Sequence, residues 1–385
     1  MRSTFLSFSP PLIGEEEISE VVDTLQSDWI TTGPKVNRFE DQFASFIGSQ
    51  AALGTASGTD AMLVGLAALG VEAGDEVITT PMTFCSTAHV IEHLGAKPVF
   101  VDVCRETLNI DPGKIEENIS PKTKAILPVH LHGHPCDMDP ILDLAKAHNL
   151  VVLEDAAHAF PAIYKGKKVG TLGDLTAFSF YATKNLTTAE GGMLTGSEEL
   201  IDEARIWSLH GMSRDAWKRY AEKGSWYYEV IKPGFKCNMT DIQAAIGTHQ
   251  LTKMPAFQER RREIVKRYNA AFADLEEITL PVEKPQVKSA WHLYVIRLNL
   301  DRLGIDRSQF IDELKARNIG SSVHFIPLHL QPYYRDKYHY SPDDFPVAYS
   351  EYERIISLPL NLRLSESDLD DVIEAVLDVV NKYRL

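Results

Sequence analysis

The chain of 385 residues has few cysteines and no long apolar run. Its four cysteines, at positions 85, 104, 136 and 237, form no Cys-x-x-Cys pair, so neither a zinc knuckle nor a dithiol redox motif is indicated. Free thiols in a chain of this size are typical of the reducing cytoplasm. The N-terminal apolar stretch is too short for a secretory signal peptide, and no run reaches the roughly 20 apolar residues of a membrane span. We therefore expect a cytoplasmic protein without a transmembrane segment.

Positive charge is also scarce. The 39 Lys and Arg residues are outnumbered by 54 Asp and Glu residues, which gives a formal net charge of −15. Nucleic-acid binding requires concentrated positive charge, and the short basic run at residues 260–262 lies inside a helical pattern. The sequence therefore argues against a nucleic-acid partner.

Short apolar runs alternate with helical patterns over the first two thirds of the chain. These runs are nearly continuous rather than alternating, which is typical of strands buried on both faces in a mostly parallel sheet. The sequence thus predicts an α/β fold. The predicted strands are residues 77–80, 98–103, 125–130, 151–157, 175–181 and 192–195.

The pattern changes near residue 255. A helix predicted at 241–254 ends at Pro255, because proline disrupts a helix interior. A strand is predicted at 321–325, and a last helix opens with a cap-like Ser365. The predicted domains are a large domain over residues 1–254, with an N-terminal helical segment, and a small α+β domain over 255–385.

Candidate functional residues follow two of the predicted strands. Asp155 and His158 come at the end of one strand, and Ser179 and Lys184 at the end of the next. In open α/β sheets, ligands bind outside the carboxyl ends of the strands. A carboxylate and a lysine in these positions suit pyridoxal phosphate (PLP), which needs an amine for a Schiff base and an acid partner for its ring nitrogen. A helix cap, a structural histidine and a surface lysine are the alternatives for Asp155, His158 and Lys184.

Residues 55–61 are mostly small and precede a strongly helical run. A helix N-terminus of this kind presents free N–H groups and the positive end of the helix dipole to a phosphate, and Ser179 could add a hydroxyl donor. The alternative is a simple N-cap by Ser57 with Asp60 in the first turn. Phe84 is either a core residue or a ring that stacks on a cofactor.

His130, His132, His134 and Cys136 together suggest a metal site. No carboxylate or second cysteine at a fixed spacing completes it, and the intervening Gly and Pro indicate an irregular loop. We therefore predict no metal.

Six motifs together resemble the nucleotide-sugar aminotransferases of the DegT/StrS type, which are PLP enzymes of fold type I. The resemblance runs from about Ile13 to the C-terminus, and the set is specific although each motif alone is weak. The motifs are Ser57-Gly-Thr-Asp60, Thr83-Phe84 and residues 95–102, 154–158, 179–192 and 234–245.

The resemblance implies a role for each matched residue. Lys184 is the implied Schiff-base lysine, Asp155 the partner of the pyridine nitrogen, and His158 a neighbour of the ring oxygen, where many relatives have Gln. The fold implied is a PLP-dependent transferase of fold type I, with a mostly parallel seven-stranded sheet and a small C-terminal α+β domain. Phosphate contacts are implied for Gly58, Thr59 and Ser179, and ring stacking for Phe84.

Relatives are homodimers with shared active sites, which implies that Lys236 or Asn238 reaches the phosphate of the partner subunit. Many members read Gly-x-Asn-x-Arg there, whereas this chain has Lys236 and Asn238 in those positions. Which of the two contacts the cofactor stays open.

A second set of features is similar to the enzymes that aminate C4 of UDP-linked 4-keto sugars. These features are His158, the Gly-x-Lys-x-Asn pattern at 234–238, Trp291-His292 and residues 323–329. The reaction implied is transfer of an amino group from L-glutamate, through pyridoxamine phosphate, to a nucleotide-linked keto sugar in the synthesis of surface polysaccharide, lipopolysaccharide or glycan amino sugars. Amination at C3 and a PLP-binding regulatory protein are the alternatives; a dehydrase of this fold typically lacks the lysine. The implied substrate-binding residues are Trp29, Thr32, Gly33, His324 and His329.

Overall fold

The computed structural model describes residues 2–213 and 227–385. Its strands are β1 (Ala51–Thr55), β2 (Glu76–Thr79), β3 (Lys97–Phe100), β4 (Thr123–Ile126), β5 (Val151–Asp155), β6 (Ile163–Tyr164), β7 (Lys167–Lys168), β8 (Leu175–Ser179), β9 (Gly192–Gly196), β10 (Ile278–Thr279), β11 (Val287–Lys288), β12 (Tyr294–Leu298) and β13 (Ile355–Leu358). Its α-helices are α1 (Glu15–Gln26), α2 (Pro34–Ile47), α3 (Gly58–Ala68), α4 (Ser86–His93), α5 (Met138–His148), α6 (Glu198–Ser208), α7 (Asp241–Phe272), α8 (Arg307–Ala316), α9 (Pro332–Tyr338), α10 (Pro346–Tyr352) and α11 (Glu366–Tyr383).

Seven strands form the central sheet in the order β1-β9-β8-β5-β4-β2-β3. The pairs from β3 through β2, β4 and β5 to β8 are parallel, whereas β9 is antiparallel to β8 and β1. The predicted α/β fold with a mostly parallel sheet is confirmed.

Helices cover both faces of this sheet, which explains its continuous apolar strands. On β8, Leu175 and Ala177 pack in the cluster formed with α3 and α6. Phe178 points the other way, into a cluster with Phe43 of α2 and Met254 of α7. Because successive residues of a strand face opposite sides, both sets must be apolar when both sides are covered.

A three-stranded antiparallel sheet, β10-β12-β13, forms the centre of the C-terminal part. Its core joins Tyr268 and Phe272 of α7 to Phe310 of α8 and Val376 of α11. The predicted opening of the last helix is confirmed, since Ser365 caps α11 through a reciprocal contact with Asp368.

The prediction that a helix ends at Pro255 is wrong. A single helix, α7, runs from Asp241 to Phe272 with Pro255 inside it, and so crosses the predicted domain boundary. Proline removes one intrahelical hydrogen bond and costs about 3 kcal/mol. Leu251, Met254 and Phe257 bury their side chains in one core cluster on both sides of the proline, and we attribute the continuity of the helix to this packing.

The strand predicted at residues 321–325 is also absent, and that segment makes a single bridge between Ser322 and Ser357. His324 and Phe325 both line the cavity described below, whereas consecutive residues of a strand would point to opposite sides. Within the described residues, no helix is long and apolar enough to span a bilayer.

Candidate active site

A cavity of about 490 Å³ opens at the carboxyl ends of β5 and β8. Asp155 is the last residue of β5 and Ser179 the last of β8, and these parallel neighbours pair with Asp155 opposite Ala177. The fold therefore brings together residues far apart in the sequence. The predicted site residues that line the cavity are Gly58, Thr59, Phe84, Asp155, His158, Ser179, Lys184 and His324.

The N-terminus of α3 forms one wall of the cavity. Ser57 caps the helix, since its hydroxyl accepts a hydrogen bond from the N–H of Asp60 at 3.0 Å. A Cβ on Gly58 would lie 2.7 Å from the Cβ of Ser179, and one on Gly192 would lie 2.4 Å from the carbonyl oxygen of Ser57. Because both positions are glycine, the N-terminus of α3 can lie in close contact with the backbones of β8 and β9. The first N–H groups of α3, which lack intrahelical acceptors, can hold an anion in the space beside Ser179.

Asp155 lies at the deep end of the cavity and is 4% exposed. Its Oδ2 accepts a hydrogen bond from the hydroxyl of Thr87 at 2.8 Å, and its Oδ1 accepts one from the N–H of Ala157 at 3.1 Å. Burial raises the pKa of Asp155, while the Thr87 and Ala157 hydrogen bonds and the nearby Lys184 amine oppose that rise. The remaining lone pairs of the carboxylate can accept a hydrogen bond from a cationic ring N–H.

Lys184 lines the same cavity and is half-buried. Burial lowers the pKa of its amine to about 8, and the negative charge of Asp155 limits the fall. Among the described residues, no hydrogen bond or ion pair engages this amine. A lysine with a lowered pKa is a usable nucleophile and proton carrier near neutral pH.

His158 is held as a neutral donor. Its Nδ1 accepts a hydrogen bond from the backbone N–H of His132 at 3.3 Å, so the proton of the neutral ring sits on Nε2. Burial, together with the positive charge of Lys184, keeps the pKa of His158 well below its usual range. The ring lies 4.4 Å, centroid to centroid, from that of His292.

The buried side-chain amide of Asn185 fixes the orientation of the His292 ring. Both hydrogens of the Asn185 Nδ2 are donated to carbonyl oxygens, those of Phe160 and Ala290. The Asn185 Oδ1 therefore accepts from the Nδ1–H of His292, at 3.2 Å. Burial lowers the pKa of His292 well below its usual range, so its Nε2 is an acceptor.

The histidines and cysteine considered as metal ligands have partners within the protein. His130 Nε2 lies 2.8 Å from a Glu154 carboxylate oxygen, and its Nδ1 accepts from the N–H of Cys136. His132 Nε2 lies 2.8 Å from the carbonyl oxygen of His324. In the part of the chain that the structure describes, no three metal-ligating side chains converge.

A second group of predicted residues lies together, but outside this cavity. The hydroxyl of Thr32 accepts a hydrogen bond from Asn238 Nδ2 at 2.7 Å, and Lys236 contacts the Asn238 side-chain oxygen. The N–H of Gly33 binds Asp241. Trp29 and Lys236 are exposed. None of these residues lines the cavity that contains Lys184.

His329 also lies away from the cavity. It is fully buried and packs its ring 4.9 Å from that of Phe345. Burial lowers the pKa of His329 to about 4, and neither ring nitrogen has a hydrogen-bond partner among the described residues. Its role in substrate binding stays a prediction.

Several cavity residues were not assigned a role at the site from the sequence. Thr83, Phe325 and His292 line the cavity, and Thr87 binds Asp155 from 68 positions away. Thr83 belongs to the Thr83-Phe84 motif, and Thr87 lies three residues after Phe84 in the first turn of α4, but a single threonine carries no specific signal. Only the packing of α4 against the sheet reveals these contacts.

The residues of the cavity fit pyridoxal phosphate. Lys184 supplies the amine, and Asp155 a buried carboxylate with free acceptor capacity. His158 supplies a neutral donor, the α3 terminus with Ser179 an anion site, and Phe84 an exposed ring.

Comparison with known proteins supports this assignment. The model of the DegT/DnrJ/EryC1/StrS aminotransferase family matches residues 11–377. The chain is 55% identical to the protein MJ1066 of Methanocaldococcus jannaschii over 100% of both chains. It is 53% identical to SpsC of Bacillus subtilis, a spore coat polysaccharide biosynthesis protein, over 98% of each.

Solved structures agree with these relatives. Spr1654 of Streptococcus pneumoniae, a proposed sugar aminotransferase known in PMP and PLP forms, is 39% identical in its PMP form, with a TM-score of 0.92 over 98% of this chain and 99% of that one. PseC of Helicobacter pylori, an aminotransferase involved in the biosynthesis of pseudaminic acid, is 30% identical with a TM-score of 0.92 over 98% and 100%.

We predict that Lys184 titrates near pH 8 in the cofactor-free protein, because burial disfavours its charged form. Its amine should be mostly neutral above that pH and mostly charged below it. Competitive labelling with acetic anhydride across pH, read at the Lys184 peptide by mass spectrometry, measures this. Lys165 is an internal control, since its ion pair with Asp139 raises its pKa. A midpoint near 10.5 at Lys184 would contradict the prediction.

We predict that Gly192→Ala weakens cofactor binding. The new methyl group would lie 2.4 Å from the Ser57 carbonyl oxygen and 2.7 Å from the Gly58 nitrogen, so it must push the α3 terminus away from Ser179. We expect the dissociation constant for PLP to rise about tenfold or more, or ~1.4 kcal/mol. Titration of the cofactor-free protein measures it. Gly304→Ala, whose Cβ has no neighbour closer than 3.5 Å, is the control and should bind normally; equal affinities would refute the close-approach interpretation.

Proposed function

The chain belongs to the DegT/DnrJ/EryC1/StrS aminotransferase family, and on this premise we propose that it transfers an amino group from L-glutamate to C4 of a UDP-linked 4-keto sugar. It is an aminotransferase whose cofactor is pyridoxal phosphate. The observation that carries the amino-transfer chemistry is the convergence of Lys184, Asp155, Ser179 and the α3 terminus on one cavity, and the C4 assignment rests on the sequence resemblance.

Each side chain has a proposed role that follows from its charge. Bound pyridoxal phosphate supplies an electron sink for the carbon that loses a proton. Lys184, with its pKa lowered to about 8, takes that proton as a neutral amine and returns it. Asp155 would accept the ring N–H and so hold the nitrogen protonated. His158 would donate its Nε2–H to the ring oxygen, and Ser179 would donate to the phosphate.

The names of two relatives support a sugar substrate. SpsC is named for spore coat polysaccharide biosynthesis, and PseC for the biosynthesis of pseudaminic acid. We propose that this chain likewise makes an amino sugar for a surface polysaccharide, a lipopolysaccharide or a glycan. We also propose a cytoplasmic location, in keeping with its four unpaired cysteines.

We propose further that the enzyme is a homodimer with shared active sites. Helix α1 supports this, because the residues that it buries against the rest of the chain are polar, namely Glu17 and Thr24. Five apolar residues of this helix and the loop after it are exposed, a pattern typical of interfaces. They are Ile18, Val22, Leu25, Trp29 and Ile30. Trp29, Thr32, Gly33, Lys236 and Asn238 would then serve the cavity of the partner subunit.

We predict that glutamate bleaches the visible absorption band of the bound cofactor and that one UDP-4-keto sugar restores it. The experiment adds glutamate first and then a panel of UDP- and dTDP-linked 3-keto and 4-keto sugars. Recovery with a 3-keto sugar alone would overturn the C4 assignment, and no response to glutamate would favour a PLP-binding regulatory protein. Lys184→Ala is the control; loss of its proton transfer should slow both steps by roughly 10²–10⁴-fold.

We predict that two impaired variants complement each other when mixed. One carries Lys184→Ala, and the other carries Lys236→Ala with Asn238→Ala. In a mixed dimer with shared sites, one cavity has both an intact Lys184 and an intact partner segment, so activity should rise well above that of either variant alone. Activity that stays at the sum of the two would show that the 236–238 segment serves its own subunit. The single variants decide which side chain contributes.

A further inference from the structure

A chain of buried hydroxyl groups ends on the carboxylate of Asp155. The hydroxyl oxygens of Thr83 and Thr87 lie 2.7 Å apart, and Thr87 lies 2.8 Å from the Asp155 Oδ2. Thr83 is 2% exposed and Thr87 is fully buried. Thr83 comes from the loop after β2 and Thr87 from the first turn of α4, so the contact depends on how α4 packs at the end of the sheet.

The direction of the hydrogen bonds in this chain follows from the acceptor at its end. An ionised carboxylate only accepts, so Thr87 must donate its single hydroxyl proton to Asp155. The Thr87 oxygen is then an acceptor for the hydroxyl proton of Thr83. Both protons point toward the carboxylate, and polarisation along the chain strengthens the last hydrogen bond.

Asp155 needs such support because it is buried. Its Oδ1 already accepts from the Ala157 N–H, and the titratable side chains nearest to it that oppose the rise of its pKa are those of Lys184 and His130. Of the influences that keep the pKa of Asp155 down against burial, the Thr87 hydrogen bond is the largest. A more basic Asp155 would take the proton from the ring nitrogen that it is proposed to hold protonated.

We propose that Thr87, backed by Thr83, is a positioning residue that keeps Asp155 ionised and oriented toward the cofactor's ring nitrogen. The inference rests on the role proposed above for Asp155. Thr87 touches neither substrate nor cofactor in this role, and it acts through the carboxylate. Its loss shifts the shared proton from the ring nitrogen to Asp155 and weakens the electron sink, while the lysine and the phosphate site stay intact.

The test compares Thr87→Val, Thr87→Ser and Thr83→Val in enzyme reconstituted with PLP labelled with ¹⁵N in the ring. We expect the ¹⁵N chemical shift of Thr87→Val to move toward that of the unprotonated ring, and its kcat to fall about tenfold or more, ~1.4 kcal/mol, with little change in the KM for glutamate. Thr87→Ser should restore both values. Thr83→Val should give a smaller shift in the same direction, and it provides the decisive measurement if Thr87→Val does not fold.

Two controls separate the possible failures. Thr79→Val removes another buried hydroxyl, which donates to the Leu127 carbonyl at 2.8 Å, and it should leave the ¹⁵N shift unchanged. Asp155→Asn should move the shift fully. If Asp155→Asn moves it and neither threonine variant does, the role of Thr87 is refuted while that of Asp155 stands. If Asp155→Asn leaves it unchanged, both roles are wrong.

Discussion

The parallel pairing of β5 with β8 is the constraint on which the site depends. Its register sets Asp155 opposite Ala177 and so brings the ends of the two strands to one edge. Glu154 and Asp155 are consecutive and point to opposite faces. Glu154 is buried against His130 and Thr176, whereas Asp155 faces the cavity. A slip of one residue would exchange these two carboxylates, so the apolar residues that fix the register also determine which acid reaches the cavity.

Burial then sets the charge of each group at the bottom of the cavity. Desolvation disfavours charge on Lys184, His158 and His292 alike. The two histidines are neutral, and their hydrogen bonds fit that state because each uses one ring nitrogen as the acceptor and the other as the donor. His158 Nδ1 accepts a backbone N–H, and His292 Nδ1 donates to Asn185. The carboxylate of Asp155 is stabilised instead by donors from Thr87 and Ala157. The deep end of the cavity therefore pairs one supported carboxylate with an amine that gains or loses a proton near pH 8.

The sequence was sufficient to predict the features that depend on local residue patterns. Continuous apolar strands predicted the sheet, and residues at strand ends predicted where Asp155, Ser179 and Lys184 would meet. Contacts between distant segments could not be predicted. The sequence gives no sign that Thr87 of α4 reaches Asp155. Pro255 is expected to end a helix, but the packing of Leu251 and Phe257 overrides that local preference. The spacing of the apolar residues in α1 is sufficient to predict that they share one face of the helix. That this face points outward depends on the contacts of Glu17 with Gln250 and Lys253, which bury the opposite face.

A buried arginine in the C-terminal part of the chain supports one wall of the cavity. Arg261 of α7 is 3% exposed and donates to the carbonyl oxygens of Trp291 and Leu360, each at 3.1 Å. Burial lowers its pKa to about 10, so it remains charged at neutral pH, and the carbonyl dipoles offset the cost of its burial. These contacts hold the segment that carries His292 against the cavity. Arg261 lies beyond Pro255 on the continuous helix α7, and the same helix begins beside Asn238, at the surface proposed for the partner subunit. One helix therefore connects that surface to the contacts that hold the His292 segment.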